Sequence, residues 1–216
     1  MPDRVVVPQG GFSDQYPVAL SSGVPRSTVL RPLQQPLYDT ELQPQAGRIE
    51  LVYFARPVSQ TFAFGVLVKS KAETNLLQSG QIPQPQEFLV AGFTFEVESN
   101  IVKADFDLMY TQSYFEFTFT GNRVYLELPL AQMPQGITPT GFAATTVNNA
   151  FIGQVANGMG LANNIYKMTC QGQALKIMPT ESFNARARWP NGAPNIAAAA
   201  GVRTRTYIRG LLFNAV

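Results

Sequence analysis

SYFEFTFTGNRVYLEL, residues 113–128, decides the fold class. Phe115, Phe117 and Phe119 fall on one side of an extended chain, with Tyr114, Glu116 and Thr118 on the other. After Gly121-Asn122 the alternation resumes, Val124, Leu126 and Leu128 opposing Arg123, Tyr125 and Glu127. A strict period of two is the signature of antiparallel strands with one buried face, and Gly-Asn between two such runs reads as a hairpin turn.

Working outward, runs of the same kind recur. Residues 49–55, 61–69, 88–98, 102–110, 165–170, 174–178, 182–189 and 203–213 all read as strands. In 61–69 the spacing predicts Phe62, Phe64, Val66 and Val68 on one face. Residues 71–78 are read as one or two helical turns. Residues 131–163 form a long Gly/Ala/Thr/Asn-rich excursion with a short helix near 148–155, and 191–201 a long connection. About ten strands, joined by a mixture of tight turns and long loops, predict an all-β antiparallel sandwich, a single jelly roll of about 8–10 strands, over residues 48–216.

Residues 1–47 differ from that body. They hold 7 of the 16 prolines and 6 glutamines, with no helical or strand period. The expectation is an extended N-terminal arm with too little clustered apolar surface to fold alone. Its anchors against the body or a neighbouring copy are Phe12, Tyr16, Leu33, Leu37 and Tyr38.

The 216 residues include 45% hydrophobic but only 14% charged side chains, against the roughly 25% of ordinary soluble domains. A chain that buries much of its surface against copies of itself tolerates this; a free monomer usually keeps more charge. Histidine is absent and Cys170 is the only cysteine. That removes the commonest general base, any CxxC metal site and any intrachain disulfide. No nucleotide-binding or nucleophile-elbow motif is present, so no enzyme, catalytic residue, metal or cofactor is expected. The Asp105/Asp107 pair, i and i+2 on a presumed strand with Lys103, reads as a solvated face. A glycosidase pair, or a calcium site shared with Glu96 and Glu98, is the lesser reading. No apolar run is long enough to span a membrane, and residues 1–11 lack the apolar core of a signal peptide, so synthesis in a cytoplasm is expected.

Net charge is +2, unevenly spread: residues 181–216 carry Arg186, Arg188, Arg203, Arg205 and Arg209 against Glu181, for +4, while the preceding 180 residues sum to −2. Arg186 and Arg188 share one strand face; Arg203, Arg205, Tyr207 and Arg209 share another. Both faces suit an anionic partner. Carboxylates of a neighbouring subunit are favoured over a nucleic-acid backbone, because the total charge is low and the arginines sit in regular strands.

The order of proline-rich arm, about ten strands and long loops, closing on SFNARARWPNGAP (182–194) and VRTRTYIRGLLFNAV (202–216), resembles small viral and bacteriophage jelly-roll coat proteins. The resemblance implies a capsid protein of the virion that assembles with itself and other virion proteins into a symmetric shell. It also implies a last strand lying centrally in its sheet. Alternatives are an accessory virion protein (decoration, spike or tail component) and a carbohydrate-binding β-sandwich module, for which Trp189 is the one tryptophan platform.

Overall fold

A computed structural model describes residues 30–98, 101, 103–120, 123–134, 141–142, 154–155, 165–167 and 175–215. In chain order the elements are β1 (Leu30–Leu33), β2 (Leu37–Gln43), β3 (Glu50–Tyr53), β4 (Glu87–Val97), α1 (Lys103–Thr111), β5 (Tyr114–Phe119), β6 (Arg123–Pro129), β7 (Gly141–Phe142), β8 (Gln154–Val155), β9 (Tyr166–Lys167), β10 (Lys176–Ile177), β11 (Phe183–Arg188) and β12 (Val202–Ala215).

Every strand pairing among the described residues is antiparallel. β12 pairs along its length with β4 on one side and with β2 and then β1 on the other. β9 and β10 pair with the far edge of β4. The second sheet runs β3-β11-β5-β6, and β7 pairs with β8 apart from both. If β1/β2 and β9/β10 each count as one position, eight positions pair first with last, second with seventh, third with sixth and fourth with fifth. That is one long antiparallel hairpin rolled on itself, the jelly roll. β12 lies between β2 and β4, the central place expected for the last strand.

The sheets face each other across an aromatic core. Phe93 of β4 packs on Phe115 and Phe117 of β5 at 5.7 and 4.9 Å between ring centroids, and Tyr53 meets Phe95 edge-on at 5.9 Å. Phe115 and Phe117 are fully buried, as their alternation predicted; Phe119 is half-buried. β4 carries a bulge. Arg209 pairs with Gly92 and Gly210 with Val90, so Ala91 is the extra residue. The parity of the core-facing side chains therefore switches from Phe88 and Val90 to Phe93, Phe95 and Val97. Gly210 allows the close approach: a Cβ there would stand 2.0 Å from the Leu89 carbonyl oxygen.

Four expectations are corrected. Residues 102–110 are not a strand; Lys103–Thr111 is the helix α1. Its sequence alternates, but Asp105 and Met109, and Phe106 and Tyr110, lie i, i+4. The last two rings stack at 4.5 Å, and Met109 and Tyr110 join the core. Residues 61–69 form no face of four buried side chains. They make a small loop closed by the Thr61–Val68 bridge and the Phe62 N–H bond to the Leu67 carbonyl, with Gly65 at φ 96° in the turn. Only Phe62 of the four is buried. Residues 71–78 are turns and bridges rather than helix, with Thr74 bridging Asp39. Finally, Leu30–Gln43 is sheet, so the body begins well before residue 48. Pro32 fits because β1 pairs with β12 alone, and an edge strand tolerates a missing N–H.

The Gly121-Asn122 turn and the helix expected near 148–155 lie outside the described residues, β8 apart. So do Phe12 and Tyr16. Leu37 is in the core, Tyr38 half-buried in β2 and Leu33 exposed.

Candidate functional site

Three groups of polar side chains stand out. The first lies on the outer face of the second sheet. Arg186 and Arg188, two apart on β11, project between Glu50 of β3 and Glu116 of β5, the residues their register places alongside. Arg188 reaches Glu50 at 2.7 Å and Glu116 at 3.3 Å; Arg186 lies 3.9 and 3.8 Å from the same two. Tyr114 first, then Glu50 and Glu116, hold the Arg188 guanidinium above its ordinary pKa. Glu116 is on the outward face, as predicted, yet it is buried beneath the two arginines.

The second group lies on the outer face of β12. Arg205 donates to Thr40 Oγ1 at 2.8 Å, to the Ala72 carbonyl at 3.0 Å and to the Tyr207 hydroxyl at 3.3 Å. Its guanidinium carbon is 6.0 Å from the ring centroids of both Tyr38 and Tyr207. Arg209 stacks over Tyr207 at 4.4 Å, within cation–π range. Tyr207 donates to Glu96 Oε2 at 2.9 Å, and burial raises its hydroxyl pKa. Arg203 is exposed, and its charge acts on Glu73 and Glu98. The five arginines thus form two separate ladders on opposite sheets, each tied to partners in the same chain.

The third group is internal and was missed from sequence. Asp39, Glu41 and Gln43 point inward from β2, opposite Thr206, Thr204 and Val202. The segment between β3 and β4 closes over them and inserts Lys69, whose side chain is wholly buried. Lys69 Nζ donates to Asp39 Oδ1 at 2.8 Å and Glu41 Oε1 at 2.7 Å, and lies 5.3 Å from the Phe62 ring centroid. Asp39 Oδ2 accepts from the Phe54 N–H at 2.6 Å, holding that buried residue at φ 65°. Arg56 stands 3.9 Å from Glu41, and the Tyr53 hydroxyl shares a 2.6 Å hydrogen bond with Thr204. Burial raises the Asp39 carboxyl to about 6 against the pull of Lys69, with Glu41 adding to the rise. The available signal was a lysine at the end of the apolar run FAFGVLVKS and three polar residues two apart in LYDTELQ.

Neither the solvated strand face expected for Asp105 and Asp107 nor the lesser arrangement for catalysis or calcium forms, because the segment is a helix that buries Asp105. Asp105 is buried in the first turn of α1, where its carboxylate accepts the Ala197 and Ala198 N–H groups at 2.8 and 3.2 Å and ties down the β11–β12 connection. Glu96 holds Tyr207 instead. Among the described residues, no group of three or more acidic, histidine or cysteine side chains is placed to hold a metal. Trp189 is buried, its indole N–H bonded to the Leu108 carbonyl at 3.3 Å, so it offers no stacking platform. No helix among the described residues is long and apolar enough to cross a membrane.

Comparison with protein-family models, with curated proteins and with solved structures returns no match for this chain.

Proposed function

We propose that the chain is a structural virion protein, a capsid (coat) protein that assembles with copies of itself into a symmetric shell. One observation carries this reading. Four of the five arginines that gave the chain its basic end, Arg186, Arg188, Arg205 and Arg209, are engaged by Glu50, Glu116, Tyr207, Thr40 and a backbone carbonyl of the same molecule, and Arg203 is exposed. In a chain with only 14% charged residues, that leaves a surface better suited to burial against protein than to a phosphate backbone. The jelly roll supports the reading by analogy of fold, since coats and lectin-like modules both use it. The buried Trp189 disfavours the carbohydrate-binding alternative. An accessory virion protein would use the same neutral surface and differs in what it assembles on.

The test is to purify the protein alone and measure its mass by light scattering beside negative-stain micrographs. Closed particles of uniform diameter are expected. A monomer at every concentration sinks the reading. Nucleic-acid affinity that falls by roughly 0.7–0.9 log units per contact for each decade of salt would move the partner from subunit to genome.

A further inference from the structure

The loop at residues 61–69 displays apolar side chains that stand exposed among the described residues. Phe64 is 50% exposed, Val66 89%, Leu67 53% and Val68 56%, and Ile49 beside them 65%. This tip is held firmly. The Thr61–Val68 bridge closes it, Ser59 N–H bonds to the Lys69 carbonyl at 2.9 Å, and Lys69 N–H returns to the Gln60 carbonyl at 2.8 Å. The buried Lys69 side chain then bolts the base of the loop to β2. Ordering such a tip on contact loses little entropy.

Beside the tip is a groove of about 590 Å³, lined by Ile49, Val52, Ala55, Ala63 and Ala193. Ala63 belongs to the loop and lines the groove, and Ile49, just before β3, lines it too, so a projection and a hollow sit within one patch. The lining also includes Arg48, Arg56 and Glu50, both signs of charge. Glu50 and Arg56 are already set against Arg188 and Glu41 of the same chain, so charge repulsion does not oppose a second copy, and a patch with its own projection and hollow has the form a two-fold interface requires. Taking roughly 150–200 Å² for a fully exposed residue of this size, the five apolar residues present on the order of 500 Å². Two copies would then bury about 1,000 Å² before any polar rim, the lower bound of a specific interface.

We infer that this patch is the two-fold contact between copies of the chain, residues 64–68 of each entering the groove of the other. The inference rests on the shell reading but names one contact within it.

Val66→Asp tests it, because an 89% exposed loop residue does not hold the fold together; an unchanged thermal melt confirms that. Pair association, read by sedimentation, should weaken by at least about tenfold. A second measurement uses single-cysteine proteins, Val66→Cys and Ala193→Cys, each in a Cys170→Ala background. Mixed and oxidised, they should give a crossed dimer in clear excess over the dimers each forms alone. A Val66→Asp protein that associates within about twofold of the parent, or an absent crossed dimer, overturns the contact. If the parent and Val66→Asp both build shells, the contact falls and the shell reading survives. If the parent stops at a dimer that Val66→Asp abolishes, the contact stands and the shell reading falls.

Discussion

Replacing Lys69 by methionine probes the best-defined electrostatic feature of the molecule. The Lys69, Asp39 and Glu41 side chains are wholly buried, and Lys69 Nζ donates to both carboxylates at under 3 Å. Methionine nearly matches the lysine stem in volume, so the cavity contribution is small. What remains is two carboxylates out of water, held by the Phe54 and Ala63 N–H groups, with Arg56, 3.9 Å from Glu41, the cation beside them among the described residues. Removing one partner of a buried ion pair costs about 3–5 kcal/mol, and that range is the expected loss in urea unfolding at pH 8.

The pH dependence follows from Asp39, on which Lys69, Glu41, the Phe54 N–H and the Tyr53 hydroxyl act, with Arg56 farther out beside Glu41. Its folded value, about 6, is raised above its ordinary 3.8, so the native state binds the proton more tightly than the unfolded chain does. Its contribution is therefore fully present below about pH 4 and is lost as pH rises through about 6. Without Lys69, whose charge is the largest influence lowering that value, the window widens upward. The penalty of Lys69→Met should shrink markedly between pH 8 and pH 5. Asp39→Asn, Glu41→Gln and Lys69→Met together remove every charge of the triad and should recover most of the loss. A penalty below about 1 kcal/mol at pH 8, or one equal at both pH values, would refute the claim that these carboxylates are desolvated.

Phe117→Ala should cost about 3–5 kcal/mol in the same assay, because the ring is fully buried against Phe93 and Phe183; a loss below about 1 kcal/mol would place the core elsewhere. Gly210→Ala should sharply reduce soluble, folded protein, since its Cβ would meet the Leu89 carbonyl oxygen at 2.0 Å across the bulge; a variant that melts like the parent contradicts the described register. Deleting residues 2–29 should leave a folded body that assembles poorly, whereas deleting 2–44 should abolish folding by removing β1, β2 and the Asp39–Glu41 pair. Normal particles from the shorter deletion would show that those residues are not an assembly element.

What the sequence determined by itself is the part of the fold carried by alternation. The runs at 113–120 and 182–189 are strands because one face of each repeats every second residue, and a one-residue slip would exchange the faces entirely. Residues 123–128 are a strand as well, but the expected face of Val124, Leu126 and Leu128 is broken: Phe117 pairs with Leu126 and Thr118 with Val124, so Tyr125 is an extra residue, and only Leu128 of the three is buried. The outward ladder of Arg203, Arg205, Tyr207 and Arg209 was legible for the same reason. Residues 102–110 misled because their apolar positions satisfy periods of two and of nearly four at once, and only packing of Met109 and Tyr110 into the core selects the helix. The tertiary structure alone decided what faces what. Glu116 looks outward yet is sealed by arginines from the neighbouring strand. Asp39 and Glu41 look like solvent residues of a polar arm, yet they form an interior once β2 pairs with β12 and Lys69 arrives from 28 residues beyond Glu41. Burial of a charge depends on partners brought from far along the chain, and no local pattern records which partners those are.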